Sequence, residues 1–148
     1  MPNALAYRLN EFGFNLPPAD VLDASINILK FPELGTSLIV SRCQLSEGET
    51  LRGSFDEQLK RLEQQVEGLR CQPVQAVLVG GEQGLDALEL HSQFSRGADK
   101  VFQYQLMFVL PGTRQMLALS YVKAEPLGEA DTSHWAAIKA SLQFESFQ

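Results

Sequence analysis

Histidine and cysteine offer the most direct routes to metal or covalent chemistry, and this sequence holds two of each: His91, His134, Cys43 and Cys71. Neither histidine has a partner at metal-ligand spacing, so a metal centre is not expected. The cysteines do not form a C-x-x-C pair, and two thiols build neither a disulfide framework nor a zinc site. Two reduced thiols in a reducing compartment are expected instead. Pairing of Cys43 with a distant histidine as an activated nucleophile has no local support. The glycines of Gly80-Gly81-x-x-Gly84 lie between two expected strands. A phosphate loop needs a helix N-terminus to receive the anion, so this stretch reads as a hairpin connection. Glu47, Glu49, Asp56 and Glu57 gather near the start of an expected helix, where they suit the positive end of its dipole. The expectation is a binding protein without catalytic residues, metal or cofactor, and not an enzyme.

The elements that would position any site belong to one domain spanning 1–148, a length that buries a real core. Hydrophobic residues make up 45% and charged residues 20%, close to the globular average. The N-terminal Met1-Pro2-Asn3-Ala4-Leu5-Ala6-Tyr7-Arg8 lacks the basic flank and apolar run of a signal peptide. No window approaches the roughly 18 apolar residues of a membrane span. A cytoplasmic protein with no membrane anchor is therefore expected. The net charge of −6 argues against nucleic acid and against anionic membrane surfaces.

Along the chain, residues 4–10 read as a short strand, with a bend at Glu11-Phe12-Gly13-Phe14 and a loop at Pro17-Pro18. Strands are expected at 24–31 and 36–45, around Gly35. Ser54-Phe55-Asp56-Glu57 has the spacing of a capping box. Phe55, Leu59, Leu62, Val66 and Leu69 then recur at helical intervals, predicting an amphipathic helix that ends at Gly68 or soon after. Strands follow at 73–79 and 84–95, then at 100–110 and 115–123, each pair joined as a hairpin. A final helix is expected near Asp131 or Thr132, carrying Trp135, Ile138 and Leu142, with a terminal strand at 143–145. This order predicts an α+β fold: a largely antiparallel β-sheet with helices packed on one face.

A period of two splits each strand into faces. Phe102, Tyr104, Leu106, Phe108 and Leu110 form one large apolar face, which is core. Opposite them lie Val101, Gln103, Gln105, Met107 and Val109, with no charge. Met116, Ala118, Ser120 and Val122 alternate with Leu117, Leu119 and Tyr121. Ser37, Ile39, Ser41 and Cys43 alternate with Leu38, Val40 and Arg42, and Ile26 and Ile28 alternate with Ser25 and Asn27. Several strands thus share a second face of small, uncharged polar and flexible apolar residues. Three explanations stand: further core beneath covering elements, a homodimer interface, or a groove for an apolar partner, since a charge-free patch marks an interaction site.

Phe14-Asn15-Leu16-Pro17, Asp23-Ala24-Ser25-Ile26-Asn27-Ile28-Leu29, Thr36-Ser37-Leu38-Ile39-Val40-Ser41-Arg42 and Leu45-Ser46-Glu47-Gly48-Glu49-Thr50-Leu51 carry a resemblance. With the helix at 54–69, they resemble the DcrB-like domain family, and more narrowly the stand-alone Eag chaperones of type VI secretion. The resemblance implies a Mog1/PsbP-like fold and a homodimer whose concave, charge-poor sheet faces clamp helices. It implies a client: the N-terminal transmembrane region of a PAAR-containing effector, hidden until loading on the secretion spike. DcrB-like relatives include secreted lipoproteins; the absence of a signal peptide and lipobox cysteine favours the cytoplasmic branch.

Carried onto residues, this implies partner contacts at Ile26, Ile28, Ser37, Ile39, Ser41, Val101, Gln103, Gln105, Met107, Ala118 and Ser120, with Gln58 at the groove rim. The alternative function is a soluble regulatory adaptor, such as a Mog1-like GTPase-binding module. An enzyme acting on a small apolar ligand, using Cys43 or His91, is a weaker third.

Overall fold

The computed structural model describes residues 5–8, 11–16 and 22–144. Strands β1 (Leu5–Arg8) and β2 (Gly13–Leu16) pair as a two-stranded antiparallel sheet. The main sheet takes β3 (Ile26–Phe31), β4 (Thr36–Gln44), β5 (Glu67–Cys71), β6 (Gln75–Val79), β7 (Leu85–Arg96), β8 (Asp99–Val109) and β9 (Gln115–Lys123). The helices are α1 (Leu51–Gln65) and α2 (Glu129–Ala140). The spatial order is β3-β4-β9-β8-β7, with β5 and β6 end to end along the outer edge of β7; every pairing is antiparallel. The fold is α+β, as the order of elements predicts.

The strand alternation expected for β4, β8 and β9 is the observed one. Tyr104, Leu106, Phe108, Leu119, Tyr121 and Leu38 pack together on one face, under Trp135 of α2. The placement of the helices differs from the expectation of a single covered face. Phe55 of α1 packs on the opposite face, against Leu90, Met107 and Ala118. Both faces of β7–β9 are apolar, so each gains by taking a helix of its own.

Three local details also differ. Thr50, not Ser54, caps α1: its extended backbone leaves the hydroxyl free to accept from the Gly53 N–H at 3.0 Å. Ser54 is already helical and accepts from Gln58 Nε2 at 3.3 Å. The helix stops at Gln65, because Gly68 turns at φ +64° and residues 67–71 leave to pair with β7. Gly13 and Phe14, read as part of a bend, belong to β2; Gln143 and Phe144 are not in a strand. Pro17, Pro18 and Glu145 lie outside the described residues. No described helix is long and apolar enough to cross a membrane.

Candidate functional site

Antiparallel pairing sets residues of five strands into rows across the sheet. On the face that α1 partly covers, one row reads Ile26, Ser41, Ala118, Met107, Leu88. The next reads Ile28, Ile39, Ser120, Gln105, Leu90, and the third Lys30, Ser37, Val122, Gln103, Ser92. Lys30 is the only charge in the three rows, and it stands on edge strand β3. All eleven strand residues expected at a partner surface lie on this face. Ten of them fall in the three rows, and Val101 lies one row further on, opposite Phe94.

A groove of about 490 Å3 opens between this floor and α1. Ile39, Val101, Gln103, Gln105, Met107 and Ser120 line it, and Gln58 reaches it from α1. Ser37, Ser41 and Ala118 share the face but are not among its lining residues; Ala118 is buried in the cluster around Phe55. Ile26 and Ile28 stand outside the groove on β3, 62% and 58% exposed. The face therefore changes character across its width. Beneath α1 it is core, beside α1 it is groove, and toward β3 it is an exposed apolar shelf.

The floor is apolar with a line of amides through it. Gln103 Nε2 donates to Ser92 Oγ at 3.1 Å, and Gln105 Nε2 donates to Ser120 Oγ at 3.2 Å. Each pair gives the amide nitrogen of a long polar side chain a partner within an apolar surface. The carboxamide oxygens keep their capacity to accept. Such a floor can cover hydrocarbon and also meet a hydroxyl or a stray backbone group.

Ser92, Leu90 and Phe94 of β7, together with Phe55, Leu59, Arg61 and Leu62 of α1, were not anticipated at the site. The signal was available in β7, where Leu88, Leu90, Ser92 and Phe94 alternate with Glu89, His91 and Gln93.

Groups with conventional reactivity do not line the groove. His91 packs at a tilt against Tyr104, with ring centroids 4.3 Å apart, and faces Glu89 at 3.6 Å. Partial burial, aided by Glu49, pushes the Cys43 thiol up; burial, aided by Glu63, does the same at Cys71. Both thiols are exposed and free. At neutral pH they are protonated and weakly nucleophilic. Among the described residues, no cluster of histidine, cysteine and carboxylate side chains has a metal-binding arrangement.

Among curated protein sequences, none matches this chain significantly. Among solved structures, a Pseudomonas aeruginosa protein of unknown function, described as a candidate regulator, is similar. Its TM-score is 0.76 at 22% identity, and the match covers 97% of this chain and 99% of that one. At that identity the likeness speaks to the fold. The DcrB family model matches residues 11–141, from β2 through α2, so the strands that build the floor and the helix that walls it all fall within it, and the chain belongs to the DcrB family.

Proposed function

We propose that this DcrB-family chain is a cytoplasmic chaperone that holds apolar helices of a client. The client is the N-terminal transmembrane region of a PAAR-containing type VI secretion effector, which the chaperone shields until loading on the spike. The observation that carries this reading is the charge-poor sheet face, with its amide line between α1 and the exposed isoleucines of β3. A transmembrane helix of about 20 residues is insoluble alone. Covering even a few hundred Å2 of it gives several kcal/mol, at about 25 cal/mol per Å2. Small side chains at Ser41 and Ser120 let another helix approach closely, as helices do in a bilayer. A homodimer would bring two such faces to one client. Holding requires neither nucleotide nor catalysis.

The test is co-expression with the N-terminal fragment of the effector encoded beside this protein, followed by co-purification. Wild type keeps the fragment soluble, whereas Ser41→Arg and Gln105→Glu, folded by circular dichroism, lose it. A fragment that aggregates with wild type, or that folded variants retain equally, rejects the reading. A second reading, a regulatory adaptor, is favoured by the description of the P. aeruginosa relative. Nucleotide-dependent capture of a GTPase would support it.

A further inference from the structure

The groove has an electrostatic direction. The protein carries 18 acidic side chains against 12 basic ones, yet the residues lining the groove include no acid and two arginines, Arg61 and Arg96. Both stand at one end. The Cζ of Arg96 lies 5.6 Å from the ring centroid of Phe94, so its guanidinium rests across an aromatic ring of the groove. Arg61 belongs to the last turns of α1; Glu57 is 3.9 Å away in an exposed pair, and Glu49 also feels its charge. Such a pair holds weakly and leaves the cation available. At the other end, Phe55 packs on Met107 and Ala118, where the lining is uncharged.

We infer that the groove binds an apolar helix in one direction, with the helix's C-terminal end and an acidic residue beside it seated at Arg61 and Arg96. This inference rests on the chaperone reading and adds to it the chemistry of the segment. The last carbonyls of a helix carry partial negative charge, and a flanking carboxylate adds to it. Both are matched by two guanidiniums at the mouth of an uncharged floor. The amides of that floor favour peptide over a fatty acid. The Nε2 groups of Gln103 and Gln105 are bonded to Ser92 and Ser120, but a bare alkyl chain offers their carboxamide oxygens no donor, whereas a helix offers hydroxyls.

The test uses the full chain and labelled Leu/Ala/Ser host peptides of about 20 residues. The peptides end C-terminally in two glutamates, two asparagines or two lysines, and binding is read by fluorescence anisotropy. Wild type prefers the glutamate peptide over the asparagine peptide by on the order of threefold to thirtyfold. The preference shrinks with added salt. Arg61→Gln/Arg96→Gln abolishes the preference, and Arg61→Glu/Arg96→Glu transfers it to the lysine peptide. Equal affinities in wild type, or a preference that survives the arginine substitutions, overturn the inference while leaving the chaperone reading standing. Failure of every peptide to bind folded wild type overturns both. Binding of sodium laurate with none of the peptides makes the site a fatty-acid site and overturns both as well.

Discussion

Replacing Glu89 by glutamine should cost this protein about 2 kcal/mol at neutral pH and almost nothing in acid. Glu89 lies in β7 beneath α2 and is 6% exposed. Its Oε2 accepts from Trp135 Nε1 at 2.7 Å and from Lys139 Nζ at 2.7 Å. Glutamine keeps an oxygen of the same shape to accept both bonds and loses the charge, its NH2 standing in for the other oxygen. A bond to a charged group is worth roughly 1.5–3 kcal/mol and a neutral one roughly 0.5–1.5, so two bonds lose about 2 kcal/mol together. The upper limit for a broken buried pair, roughly 3–5 kcal/mol, is not reached, because Lys139 is partly exposed and can turn to water. For a chain of this size the loss lowers Tm by about 4–8 °C. Burial raises the pKa of Glu89, but the bonds from Lys139 and Trp135 more than offset it, so the carboxyl sits below its ordinary value. A folded pKa below the unfolded one gives stability that is present above the unfolded value, about 4.3, and lost as pH falls through the folded one. Glutamine has no such proton. Thermal melts of both proteins from neutral pH down to about pH 3 should therefore converge. A Tm gap under about 1 °C at neutral pH, or a gap that stays constant into acid, would refute the reasoning.

Phe55→Ala removes the aromatic that seats α1 and should cost about 3–5 kcal/mol, measured by urea unfolding. Loss of less than about 1 kcal/mol would show that α1 is held by other contacts. Thr50→Ala removes the α1 cap and should cost about 1 kcal/mol, with Thr50→Ser restoring most of it. Cys43 and Cys71 should both react with a disulfide reagent in the native protein, and more slowly than a free thiol at the same pH. A burst as fast as free thiolate would contradict their raised pKa values.

Much of the floor was legible because β8 and β9 alternate cleanly. Phe102, Tyr104 and Leu106 cannot share a face with Gln103 and Gln105, so the register of a single strand already sorts the two sides. The position of α1 was not legible. Phe55 and Leu59 declare an apolar stripe, but two apolar sheet faces were on offer, and only tertiary packing chooses between them. Strand β5 was hidden because Val66 and Leu69 continue the helical spacing; the cue against it was Gly68. The Ser54 pattern matched a capping box by residue type, while Thr50, four residues earlier, had the extended backbone a cap requires. Glu89 alternates like a solvent-facing acid, and its partners on α2 lie too far along the chain for any local pattern to reveal them.

The groove and its apolar shelf straddle the seam between β4 and β9, where Thr36 meets Lys123 and Gln44 meets Gln115. Strands β7, β8 and β9 follow one another as a meander with short connections, but that seam closes a loop holding α1 and four strands, β5 to β8. Loop closure on this scale is slow and late in folding. The complete face thus exists only in a chain that has finished folding, and a half-made molecule would offer a client the meander without the β3 shelf. During synthesis, the ability to hold a partner would switch on last, after the final strand has left the ribosome and docked.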